Sequence, residues 1–168
     1  MAQQIINIGA IANDNTGDTL RGAGQKINDN FTELYTDISA LNSATAYVPT
    51  LTDSGGGRTF TVTVNTARFT EIGNLRWFTV DLTVTAASGA ASGELRLSLP
   101  ATSTYSGSVE FWADNLAASA KTDIQGYIQA GTNYAQLTHY ENGDALQLTQ
   151  HVNATSRLIV TGIFFTTP

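Results

Sequence analysis

The sequence predicts a mainly β protein: a short N-terminal arm and a trimerising α-helix, followed by an antiparallel β-sandwich head that is jelly-roll-like. Three observations carry this expectation. Between Leu20 and Leu41, apolar residues recur at steps of four and three, the period of a helix with one narrow apolar strip. From Arg58 the period becomes two: Phe60, Val62 and Val64 alternate with Thr59, Thr61 and Thr63. From there on, Gly, Ser and Asn clusters punctuate the chain at short intervals, as turns between strands do. The organisation follows as arm 1–17, helix 18–45 and head 46–168.

In the arm, Ile5, Ile6, Ile8 and Ile11 form an apolar cluster able to dock as a short extended strand. A solvated tail gains nothing from isoleucines, so they are the candidate attachment residues. Asn13 to Gly17 is a turn-rich link. Its Asn13, Asn15 and Asp18 superficially suggest a calcium loop. The spacing fails: the Gly falls one place early, and Gly24 stands where a bidentate Glu should close the loop. Asp18 directly precedes Thr19 and Leu20 and is expected to cap the helix.

The helical seam is Leu20, Gly24, Ile27, Phe31, Leu34, Ile38 and Leu41, with Lys26, Asn28, Asp29, Glu33 and Asp37 on the other faces. A strip this narrow suits another helix better than a broad core. About three heptads are marginal alone. The helix is therefore expected to meet copies of itself, and Ile38 between Leu34 and Leu41 favours more than two strands. Gly22 and Gly24 weaken the first turns, each by up to about 1 kcal/mol relative to Ala.

Thr45, Val48 and Pro49 end the helix, Pro49 by pushing Val48 to an extended conformation. Ser54 to Gly57 is a loop. Phe69 to Ile72 leads into a Gly73-Asn74 turn, and Phe78, Val80, Leu82 and Val84 then alternate with Trp77, Thr79, Asp81 and Thr83. Ser88 to Gly93 is a loop, and Leu95, Leu97 and Leu99 form a strand ending at Pro100. Further strands are expected at 107–113, 123–130, 133–140, 145–151 and 157–165. Asn142-Gly143 is a hairpin signal between two of them. About eight short strands with such turns indicate a sandwich.

Composition narrows the function. A formal charge of −6 argues against a nucleic-acid partner, which needs a basic face. No apolar run approaches the roughly 20 residues of a membrane span, so no membrane insertion is expected. The apolar segment around Ala10-Ile11-Ala12 mimics a signal-peptide cleavage site, yet no Lys or Arg precedes it. Without cysteines there are no disulfides or thiolate metal sites. No cofactor, metal or catalytic residue is expected. His139 and His151 read as polar strand residues, and there is no nucleophile elbow, His-Glu-x-x-His or phosphate loop. Asp81, Glu94, Glu110, Asp114, Asp123, Glu141 and Asp144 read as a solvated face in place of the paired carboxylates of a glycosidase. Of the aromatic residues Trp77, Trp112, Tyr105, Tyr127, Tyr134 and Tyr140, the candidates for a ligand surface are Trp112 and Tyr134. The sequons at Asn30 and Asn153 are chance matches without a signal peptide.

The stretch Ile5–Tyr35 carries Asn13-Asp14, Thr16-Gly17-Asp18, Leu20-Arg21, Lys26-Ile27-Asn28, Asn30-Phe31 and Glu33-Leu34-Tyr35. It resembles a segment near the N-terminus of many tailed-bacteriophage virion proteins; Gly22 and Gly24 depart from the bulkier residues expected there. The resemblance covers about a fifth of the chain. It implies a homotrimer on the exterior of the particle, anchored by its N-terminal arm to a capsid or tail protein, with the C-terminal domain displayed outward. On that footing the chain is expected to be a non-enzymatic capsid-decorating or short fibre protein. Its trimer interface is expected at Leu20, Ile27, Phe31, Leu34, Ile38 and Leu41. The alternatives are a tail-fibre tip that recognises host surface carbohydrate and a carbohydrate-degrading enzyme.

Overall fold

Thr19 sets the start of the helix. In the computed structural model, which describes residues 4–11, 15–41, 43–117, 124–141, 144–146 and 148–167, helix α1 spans Leu20–Leu41. The Thr19 hydroxyl accepts the Gly22 amide at 3.1 Å, and the Thr19 carbonyl accepts the Ala23 amide at 2.8 Å. Thr19 is thus the N-cap. The expectation that Asp18 caps is corrected, because its carboxylate is engaged elsewhere. The helix also stops short of residue 45. Thr45 and Ala46 instead pair with Phe69 and Arg68 as strand β1 (Thr45–Ala46). Two units result, Met1–Ser43 and Ala44–Pro168.

The second unit is a mainly β, barrel-like body. Its further strands are β2 (Leu51–Asp53), β3 (Arg58–Ile72), β4 (Leu75–Gly89), β5 (Leu95–Ser98), β6 (Gly107–Asp114), β7 (Ile124–Ile128), β8 (Tyr134–Glu141), β9 (Asp144–Leu146) and β10 (Arg157–Phe165). The ladder runs β3–β2–β5–β8–β7–β6–β10–β4 and returns to β3, with every step antiparallel. That path is one closed circuit, not the two separate sheets of a jelly roll. Closure removes the exposed sheet edges that a two-sheet sandwich leaves. β1 and β9 pair outside the circuit, on β3 and β8.

The predicted alternation fills the interior. Phe78, Val80, Leu82 and Val84 of β4, Leu158, Val160 and Phe164 of β10, Leu95 and Leu97 of β5, and Leu137 of β8 are buried. Gly162 takes the inward place between Val160 and Phe164. A Cβ there would lie 2.5 Å from Val109 Cγ1 and 2.8 Å from Phe78 Cε1. The missing side chain leaves room for the Phe78–Phe164 edge-to-face pair, whose centroids are 5.9 Å apart.

β3 departs from a simple period of two. Phe60, Val62 and Val64 lean inward, then the parity flips and Ala67 is buried. The register shift between Val64 and Thr66 causes the flip and leaves Asn65 unpaired in the ladder. Its side-chain amide donates to Asp81 Oδ1 at 3.0 Å and to Thr83 Oγ1 at 3.1 Å. The expected strand 145–151 is also corrected. After β9 the chain makes a 3-10 turn at Leu148–Gln150, because Leu148 and Val152, four apart, are both fully buried. Asn142 and Gly143 lie outside the described residues, though Glu141 and Asp144 on either side are ladder partners.

One buried carboxylate ties two loops together. Asp53, at the end of β2, accepts the amides of Gly55 (3.0 Å), Arg58 (3.1 Å) and Ser92 (2.9 Å) and the Ser92 hydroxyl (3.2 Å). Burial works to raise its pKa, but these hydrogen bonds outweigh burial and hold it below the ordinary 3.8. A depressed carboxyl contributes stability that is complete above its unfolded pKa and is lost as pH falls through the folded value. Asp53→Ala leaves three amides without this acceptor, at a cost of about 1–3 kcal/mol. Thermal melts from pH 7 to pH 2 should therefore show the variant less stable at neutral pH, with the difference from the parent vanishing in acid. A constant difference at every pH contradicts this role.

Candidate functional site

The arm-and-helix unit is built on two stripes of α1. The first is polar: Lys26 and Asn30 stand one turn apart on the helix, and Asp18, just before the Thr19 cap, continues the same side. It holds the arm. The Asn30 side-chain amide bonds both backbone groups of Gln4, accepting its N–H at 3.0 Å and donating to its carbonyl at 3.0 Å. Lys26 Nζ donates to the Ile5 carbonyl at 3.0 Å and to Asp18 Oδ2 at 2.8 Å. That same Asp18 oxygen accepts the Asn7 amide at 2.9 Å, while the Asp18 amide donates to the Asn7 carbonyl at 2.7 Å. Asn7 Nδ2 reaches the Thr16 carbonyl at 2.8 Å. The arm thus runs antiparallel to the helix, its backbone satisfied by helix side chains much as a neighbouring strand would satisfy it.

Electrostatics and sterics agree with this placement. The Lys26 ammonium first, and the Asn7 amide second, hold the Asp18 carboxyl below its ordinary value. Gly17 lies under the arm: a Cβ there would come within 3.0 Å of the backbone of Asn7, Ile8 and Gly9. Thr16, Gly17, Asp18, Lys26 and Asn30 all belong to the motif picked out in the sequence. Its physical content is therefore, at these positions, an arm clamp. The sequence alone places Lys26 on a face away from the seam and assigns it no partner. The spacing of Asp18, Lys26 and Asn30, eight and four residues, is the available signal.

The second stripe is apolar and remains in solvent. Ile27 is 42% exposed, Phe31 53%, Leu34 50% and Ile38 44%. Ile27, Asn30, Phe31 and Leu34 line a shallow apolar depression, and Phe31 stacks on Tyr35 at 6.4 Å. Leu20 is almost wholly exposed, and the side chain of Leu41 lies outside the described residues. At Gly24 a Cβ would meet nothing within 4 Å. The arm's aliphatic side chains are similarly placed, with Ile5, Ile8 and Ile11 exposed and Ile6 half-buried.

On the β unit, the two candidate ligand rings do not form one surface. Trp112 is half-exposed on β6, five residues along from Gly107. Gly107 pairs with Ile128, which pairs with Ala135 beside Tyr134. The rings are thus six residues, about 20 Å, apart along the strands, with β7 between them. Tyr134 is covered by the Arg96 guanidinium, 4.1 Å from its ring centroid. The larger exposed apolar face lies elsewhere. On the outer surface Trp77 is paired with Ile163, and Leu75 with Phe165 and Ile72. Among the candidate acids, Asp81 is bound by Arg157 at 2.9 and 2.6 Å, and that bond chiefly depresses its pKa. Glu94 lies 3.7 Å from Arg96. Asp123 and the side chains of His139, Tyr140, Glu141 and Asp144 lie outside the described residues. Among the described residues, no group of three or more His, Cys, Asp or Glu could hold a metal, and no helix is long and apolar enough to cross a membrane.

Comparison with known proteins agrees with this picture. The family model described as bacteriophage T4 gp9/10-like protein, N-terminal, matches residues 3–121, more than half of the chain. Among solved structures, the Dettilon tailspike protein (gp208) is similar in fold, with a TM-score of 0.60 at 18% identity. The match covers 73% of this chain, which spans only 23% of the tailspike chain. No curated protein matches the sequence.

The clamp makes a specific demand at Gly17. Gly17→Ala should displace the arm while leaving the Thr19 cap in place, so helical circular dichroism is retained and proteolysis within residues 4–11 accelerates. Unchanged proteolysis of the arm argues against the close approach.

Proposed function

The chain belongs to the bacteriophage T4 gp9/10-like protein family, and from that premise we propose that it is a homotrimeric capsid-decorating or short fibre protein anchored to the particle by its arm. It is a structural protein of a tailed phage and stands on the exterior of the virion. The observation that carries the oligomeric reading is the exposed strip Ile27, Phe31, Leu34 and Ile38 on a helix of 22 residues. Most of a helix's stability in a protein comes from packing its apolar face, and this strip is of the width that other helices cover in a coiled coil. The arm, with Ile5, Ile8 and Ile11 outward, is the attachment element for a capsid or tail protein. No catalytic role is assigned.

A second reading gives the head a receptor-binding role toward host carbohydrate. The half-exposed Trp112 favours it, as an aromatic face on which a sugar can stack. Tyr134, already stacked against Arg96, contributes less to such a surface. Glycan-array binding that disappears in Trp112→Ala supports this reading; an array without signal for the parent removes it.

The trimer is tested at Phe31. Phe31→Ala removes a large side chain from each subunit, at roughly 3–5 kcal/mol per site in a well-packed core and somewhat less in a short seam open at its ends. Light scattering at micromolar concentration should show a trimer for the parent and partial dissociation for the variant, with the β circular dichroism retained. A monomeric parent refutes the proposal.

A further inference from the structure

A tail that becomes ordered only on meeting its partner needs no internal fastening. This arm has one. Three side chains, Lys26 and Asn30 of the helix and Asp18 just before it, satisfy backbone groups of Gln4, Ile5 and Asn7 at 2.9–3.0 Å, and Gly17 is left bare where the arm crosses it. The fastening uses the arm's backbone and leaves Ile5 and Ile8 facing out, at 78% and 89% exposure. Aliphatic groups held rigidly in water are unfavourable for the free chain. They become favourable where a complementary surface removes them from water without a further ordering cost.

We infer that the arm docks in its clamped form, presenting Ile5 and Ile8 as a preformed ridge to an apolar groove on a neighbouring virion protein, with Asp18 as the positioning residue. This rests on the reading that the arm is the attachment element and adds how it is recognised. Asp18 is suited to the part because one oxygen receives both Lys26 and the Asn7 amide. Losing it releases the arm from the start of the helix. The helix itself should survive, because Thr19 is its cap.

The test adds purified protein back to virions assembled without this chain and measures bound copies against concentration. Amide exchange at Asn7 is followed in the same variants. Asp18→Ala and, independently, Lys26→Met should speed exchange at Asn7 and weaken attachment, with helical circular dichroism unchanged. If the clamped state falls to about one in ten of the population, the apparent affinity falls about tenfold. Ile8→Asp should abolish attachment while exchange at Asn7 remains as in the parent. Faster exchange with parental attachment overturns the inference and leaves the anchoring role intact, as does unchanged exchange in Asp18→Ala. Normal attachment of Ile8→Asp overturns the anchoring role itself.

Discussion

Apolar side chains must leave water, and the two units meet that constraint in different ways. The β unit satisfies it within a single chain. Its strands alternate apolar inward and polar outward, and the ladder closes so that β4 and β10 are paired on both edges. Phe78, Val80, Leu82, Leu158, Val160 and Phe164 disappear into one interior. Among the described residues, the arm-and-helix unit has one helix and the arm segment beside it. The segment binds through its backbone to a polar stripe, so the apolar stripe beside it stays in solvent. That exposure is the basis on which this unit is proposed as the element of assembly.

The division of labour on α1 is economical in residues. Lys26 faces the arm and Ile27, its neighbour, lines the exposed strip; Asn30 and Phe31 repeat the pattern one turn on. Adjacent positions on a helix point about 100° apart, so one short motif holds the arm on one face and presents an apolar strip on another. The glycines fit the same scheme. Gly17 admits the arm backbone, and Gly24 leaves open space at a seam position. Gly17, which precedes the helix, carries no cost in helix propensity, whereas Gly24 lies within it.

Polar residues in the β unit also follow constraint more than solvation. Asp53 is kept ionised inside a loop junction by three amides and a hydroxyl. Asn65 fills the bulge of β3, and Asp81 joins it to Arg157 across β10. A carboxylate committed to a guanidinium and an amide is poorly placed to act as an acid or base.

Local chemistry determined much of this protein from the sequence alone. The steps of four and three located the helix and its exposed strip, and alternation with turn residues located most strands, including the Gly73-Asn74 turn. These signals are legible because helical and strand periods are properties of neighbouring residues. Other features depend on residues distant in sequence, and only the tertiary structure decided them. Periodicity is silent on which strands pair, so closure of the ladder through β2, β5 and β8 could not be read from it. The parity flip at Asn65 needed the partner strand β4 to define a register. Leu148 falls within the strand expected at 145–151, because nothing local marks a turn there; burial of both Leu148 and Val152, four apart, selects the turn. Asp18 looked like a cap, since a carboxylate before a helix ordinarily is one. The returning arm and Lys26 competed for that carboxylate and won it, leaving Thr19 to cap the helix.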